Sequence, residues 1–99
     1  MAAYLIANIE VRDREAFDAY RARVVPVIER HGGCYLVRGG EVHPLEGDLG
    51  LKRLVVVEFP SLEAARRFYE SEEYVPLLRL RAESTISHVA LAEGWAPPG

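Results

Sequence analysis

Two short segments, residues 4–11 and 53–59, are apolar on both of the faces a strand would present, and this restricts the fold more than any other feature. Along the first, Leu5, Ala7, Ile9 and Val11 alternate with Tyr4, Ile6, Asn8 and Glu10, so one parity is wholly apolar and the other mostly so. Along the second, Val55, Val57 and Phe59 share one parity while Leu54, Val56 and Glu58 share the other. Side chains alternate across a sheet, so strands of this kind belong in its interior and need cover on both sides. A chain of 99 residues has room for one domain and one core. With 49% of its residues hydrophobic, it carries more apolar material than so small a domain readily conceals, and self-association is expected.

Helix signals fall between the strands. Asp13 is placed to cap a helix with Glu15 in its first turn, and Phe17, Tyr20, Val24 and Ile28 follow as an apolar stripe. Pro26 is expected to kink that helix or loosen its last turn, and Gly32-Gly33 to end it. Residues 34–38 read as a second strand, and residues 39–51 as a bent strand or an irregular excursion. Ser61 caps a helix carrying Ala64, Ala65, Phe68 and Tyr69, and Ser71, with Glu72 and Glu73 behind it, is expected to cap another reaching about residue 82. Residues 85–92 form the last strand. The order is β-α-β-β-α-β, the split pattern of a ferredoxin-like α+β domain. Right-handed crossovers place the helices on one face of a four-stranded antiparallel sheet. One domain over residues 1–94 and a Pro-rich tail over 95–99 are expected. The uncovered sheet face predicts a homodimer closed sheet against sheet, burying on the order of 800 Å² per subunit.

Composition narrows the partners. The net charge is −3, and no basic run or Lys/Arg stripe interleaved with aromatics is present, so nucleic acid is not an expected partner. The apolar start, residues 1–9, has no basic residues before it and meets Glu10 too soon for a signal peptide. No stretch approaches the ~20 apolar residues of a membrane span, so a cytoplasmic protein without a membrane partner is expected. Cys34 is the lone cysteine and has no neighbouring His or Lys to activate it, so a buried, inert thiol is expected. His31, His43 and His88 are dispersed without metal-site spacing, so no metal or cofactor is expected.

The chemistry concentrates in a few charged residues set among apolar ones. Two glycine pairs, Gly32-Gly33 and Gly39-Gly40, bracket a strand-like run containing Arg38, and Glu46 and Arg53 follow at short range. Glu58 lies in a valine-rich strand, where an unpaired carboxylate is costly, so an Arg–Glu pairing across the sheet is predicted. Such a set is either a structural ion-pair network or an arginine clamp on a carboxylate or enolate with a glutamate as general base. His88 shares its parity with Ile86 and Ala90 and is a second candidate proton acceptor. Asn8, Tyr20 and Tyr74 are candidates to line a cleft, with a core position the favoured reading for the two tyrosines.

These segments also carry a resemblance. Val11-Arg12-Asp13, Tyr20, Gly32-Gly33 through Arg38-Gly39-Gly40, Leu45-Glu46-Gly47, the run from Arg53 to Ser61, Ser71-Glu72-Glu73-Tyr74 and Leu80-Arg81 together resemble the DUF1330 family over residues 4–94. The resemblance implies the dimeric α/β-barrel superfamily, whose members include antibiotic-biosynthesis monooxygenases, muconolactone isomerases and haem-degrading enzymes, with ligands generally held between sheet and helices. It implies no settled activity. The expected function is binding of a small hydrophobic or carboxylate-bearing metabolite in that cleft by Arg38, Arg53, Glu46, Asn8, Tyr20 and Tyr74. As an enzyme it would be a cofactor-independent isomerase or oxygenase using Glu58 or His88 as catalytic proton acceptor. The alternative is a non-catalytic dimeric module, structural or regulatory. An enclosed cavity of ~300 Å³ or more favours the first, and a filled helix–sheet interface the second.

Overall fold

The computed structural model describes residues 1–98. Strand β1 (Ala3–Val11) leads into helix α1 (Arg14–Arg30), followed by β2 (Cys34–Arg38), β3 (Leu54–Phe59), α2 (Leu62–Glu70), α3 (Val75–Ser84) and β4 (Thr85–Glu93). The four strands form one sheet in the order β2-β3-β1-β4, antiparallel at every pairing. This is the expected ferredoxin-like α+β architecture, with the doubly apolar strands β1 and β3 at its centre.

Register assigns the faces. Leu5 pairs with Val57 and Leu91, and Ala7 with Val55 and Val89. Their side chains meet Phe17, Tyr20, Val24, Ile28, Phe68 and Leu77 of the helices in one core. The other parity brings Ile6 beside Val56 and Ala90, and Asn8 beside Leu54 and His88. No helix covers that second face, and Ile6 and Ile86 are 40% and 49% exposed there. Val11, expected on the core parity, is exposed at the strand end.

The helix boundaries follow local chemistry. The Asp13 carboxylate accepts from the Ala16 amide at 3.2 Å and the Ser61 hydroxyl from the Ala64 amide at 3.0 Å, as N-caps do. Helix α1 runs through Pro26 to Arg30 instead of loosening there. It closes where Gly32 (φ +80°) and Gly33 donate backbone N–H groups to Glu29 and Ile28, and a Cβ at Gly33 would collide with Ile28 and Phe59. The third helix starts later than expected. The Ser71 hydroxyl accepts from the Tyr74 amide, but it caps a single turn, and α3 begins at Val75 with Pro76 in its first turn, where a missing N–H costs nothing. Residues 40–53 hold no regular element. Within this excursion Leu45 and Leu49 are exposed, and the Asn8 side chain pins its end by donating to the Gly50 carbonyl and accepting from the Lys52 amide. No helix among the described residues is long and apolar enough to cross a membrane.

Phe68 joins helix to sheet, its ring centroid lying 5.4 Å from Phe59 and 4.4 Å from Tyr74. Phe68→Ala should therefore cost about 3–5 kcal/mol, read as a lower denaturation midpoint with an unchanged denaturant slope.

Candidate functional site

Strand β2 carries an irregularity that builds the site. Tyr35 pairs with Val57 and Arg38 with Val55, both core-face positions, although they are three residues apart. Regular alternation would put them on opposite faces. A bulge between Tyr35 and Val37 absorbs one extra residue, Leu36, and so turns Tyr35 and Arg38 to the same side. Arg53, just before β3, shares the parity of Val55 and Val57. Arg21 of α1 lies one turn beyond Phe17. These elements leave a narrow cleft between sheet and helices, with a cavity of about 40 Å³.

Its walls are apolar: Leu5, Ala7, Val55, Val57 and Val89 from the sheet, facing Phe17, Val24 and Phe68 from the helices. Arg21, Arg38 and Arg53 stand where the cleft opens onto shallow surface grooves lined also by Arg14 and Asp18. Arg38 stacks over the Tyr35 ring at 4.8 Å and Arg53 over Phe17 at 5.5 Å, both cation–π contacts that hold a guanidinium without a carboxylate. Among the described residues the one carboxylate paired with the trio is Asp18, 3.5 Å from Arg21 and more than half exposed. The Nε atoms of Arg21 and Arg53 are buried and have no hydrogen-bond partner among the described residues. Burial, then the charges of Arg21 and Arg38, pull the Arg53 pKa below the usual guanidinium value. Gly39 (φ +74°) makes Arg53's position possible, because a Cβ there would overlap the guanidinium.

Deeper in the cleft, the hydroxyls of Tyr20 and Tyr74 share a 2.9 Å hydrogen bond. Arg81 donates from Nε to the Tyr74 hydroxyl at 3.4 Å and from Nη2 to the Tyr69 hydroxyl at 3.3 Å. Burial, reinforced by Tyr74, raises the Tyr20 pKa well above that of a free phenol, and burial likewise raises that of Tyr35. Both phenols therefore stay protonated and are not bases at neutral pH.

Four of the residues singled out from the sequence meet here: Arg38, Arg53, Tyr20 and Tyr74. The others lie elsewhere. Glu58 pairs across β1 with Tyr4 on the open sheet face, where its carboxylate accepts the Tyr4 hydroxyl at 3.0 Å, and the Tyr4 pKa is raised through that bond. The expected Arg–Glu pair across the sheet is thus replaced by a tyrosine–carboxylate pair. The cause is parity, since Arg38 and Arg53 face the helices and Glu58 faces away. His88 stands opposite Asn8 on that same open face, on the other side of the sheet from the arginines. Asn8 is engaged with the 40–53 excursion, which also carries Glu46, exposed and beside Leu45 and Leu49. Cys34, expected to be buried, is exposed because its parity is that of Glu58. Arg21 and Arg81 were not among the site residues expected from the sequence, although Leu80-Arg81 belongs to the segments that carry the family resemblance. Arg21 is marked by its i+4 spacing from buried Phe17, and Arg81 by the same spacing from buried Leu77.

The fold and cleft place the chain in a class of ferredoxin-like α+β proteins. Residues 2–95 match the model of the domain of unknown function DUF1330, and the chain belongs to that family. Among solved structures it is similar to a protein of unknown function from Rhodopseudomonas palustris, with 20% identity and a TM-score of 0.75 over 97% of this chain and 84% of the other. It is also similar to SnoaB, a cofactor-independent oxygenase from Streptomyces nogalater, with 15% identity and a TM-score of 0.63 over 97% and 95% of the two chains. A protein from Mycobacterium tuberculosis matches over the full length of both chains, with 17% identity and a TM-score of 0.57. At these identities the likeness is one of fold. No curated protein matches the sequence significantly.

The Gly39–Arg53 contact is directly testable. Gly39→Ala should cost about 1–2 kcal/mol for the left-handed backbone alone, plus a further loss from displacing the guanidinium. In an Arg53→Ala background only the backbone cost should remain, so a double-mutant cycle on denaturation midpoints isolates the contact.

Proposed function

We propose that this protein binds a small, partly apolar metabolite through a carboxylate, holding the anion among Arg21, Arg38 and Arg53 while the apolar part enters the cleft. One observation carries the reading. Three guanidiniums gather at the mouth of an apolar cleft with one exposed carboxylate among them and with two buried Nε–H groups unused. Buried donors without partners and unbalanced like charges are both costly, and a bound carboxylate relieves both. The cavity of about 40 Å³ is far below the ~300 Å³ of a drug-sized site, so the group that enters is slim, an unbranched chain or a flat ring edge. As an enzyme, the protein would be a cofactor-independent isomerase or oxygenase whose cleft chemistry is carried by arginines and phenols. Glu58 and His88, on the other face, serve such chemistry only through a second subunit.

The same narrowness favours a second reading, a non-catalytic dimeric module whose filled helix–sheet interface serves only the fold. Calorimetric titration with hexanoate and, in parallel, hexanol separates the two. The binding reading expects hexanoate to bind, hexanol to bind at least about tenfold more weakly, and salt to reduce the difference. Arg53→Met should abolish the preference while leaving the protein folded. Equal, undetectable binding of both probes would favour the module.

We further propose that the active form is a homodimer joined through the open sheet face. Ile6, Val56, Leu54, Ile86 and Ala90 make that face largely apolar, and a second copy supplies a surface of the same character. Wild-type protein should run as a dimer in light-scattering-coupled gel filtration, and Ile6→Lys should convert it to a folded monomer.

A further inference from the structure

We propose that Arg81 is a second ligand anchor at the inner end of the cleft, so that the molecule bound there carries two oxygen-bearing ends: a carboxylate at the mouth and a keto, enolate or second carboxylate oxygen inside. The inference rests on the carboxylate-binding reading and extends it to a substrate class. Arg81 is only 5% exposed, yet it takes part in none of the ion pairs among the described residues. A guanidinium so deeply buried normally has a carboxylate against it, because removing the charge from water is expensive. Here the compensation comes from neutral phenols. The bonds to Tyr74 and Tyr69, at 3.4 and 3.3 Å, are longer than good N–H···O bonds, which centre near 2.9–3.0 Å. The Nη1 amino group has no hydrogen-bond partner among the described residues.

Arg81 lines the same cleft as Arg21, Arg38 and Arg53, together with the apolar side chains of Leu5, Val57 and Phe68. The Tyr20–Tyr74 hydroxyl pair lies beside the guanidinium. An oxygen arriving at Nη1 would therefore meet a charged donor, with phenol hydroxyls alongside. A hydrocarbon terminus would leave Nη1 without a partner and the guanidinium with only its two long phenol bonds. Arg81 thus discriminates for a second oxygen, as a site built to hydrogen-bond one does.

The test compares hexanoate, 5-oxohexanoate and adipate, three unbranched probes of equal carbon number, by calorimetric titration of the full chain. The expected result is that 5-oxohexanoate or adipate binds at least about tenfold more tightly than hexanoate. Arg81→Met should erase that preference and retain hexanoate affinity, with the thermal midpoint falling by no more than the two long phenol hydrogen bonds contribute. Arg81→Lys, which keeps the charge but not the fork, should weaken the preference without erasing it. Should Arg81→Met not fold, the wild-type comparison and Arg81→Lys decide. Hexanoate binding with no added preference for an oxygen at the far end would overturn this inference while leaving the mouth site standing. A preference that survives in Arg81→Met would do the same. Absence of binding by all three probes would remove both.

Discussion

Everything in this molecule depends on β1 being paired along both edges. Its residues Ala3 to Asn8 pair with β3 on one side and, extending to Val11, with β4 on the other. A central strand cannot slip by one residue without exchanging its faces, so the alternation in residues 4–11 propagates into the whole sheet. The core-facing parity seats the helices through Phe17, Phe68 and Leu77. The opposite parity is then left largely apolar, with no helix over it among the described residues, and the proposed dimer rests on that face.

Against that apolar frame, the charge distribution is unusual in one respect. Four arginines reach the cleft, and among the described residues only Asp18, on Arg21, stands beside them as a carboxylate; Glu58 lies on the open face with Tyr4, Glu73 is paired with Arg30, and Glu10 with Arg12. The protein instead holds its cleft cations with aromatic faces and phenol hydroxyls. Such partners position a guanidinium without neutralising it. A site arranged this way keeps its positive charge available, consistent with an anionic ligand and with a cleft that admits only a slim group.

Much of this could be read from residue order. The caps at Asp13 and Ser61, the apolar stripe of α1, the glycine stop at Gly32-Gly33 and the β-α-β-β-α-β order are local or periodic signals, and each reappears in the structure. The failures share a cause. Ser71 has the chemistry of a cap but serves only a turn, because Pro76 moves the start of α3 to Val75. Glu58 and Arg38 look like natural partners in a sequence where strand faces are unknown, yet they lie on opposite sides of the sheet. Asn8 suggested a ligand contact, but its two hydrogen bonds are spent holding residues 50 and 52, over forty positions away.

The amino-acid order alone thus dictates which segments are strands and helices and which faces are apolar, because those properties arise from patterns repeating every two or three to four residues. It also dictates that β1 and β3 must be central. Only the tertiary structure decides which charges meet. A single extra residue in β2, Leu36, turns Tyr35 and Arg38 to the same side, and no periodicity announces a bulge in advance. The convergence of Arg21, Arg38, Arg53 and Arg81 on one cleft results from strand register and helix packing, which join residues distant in the chain; local spacing marks only that Arg21 and Arg81 share a helix face with Phe17 and Leu77.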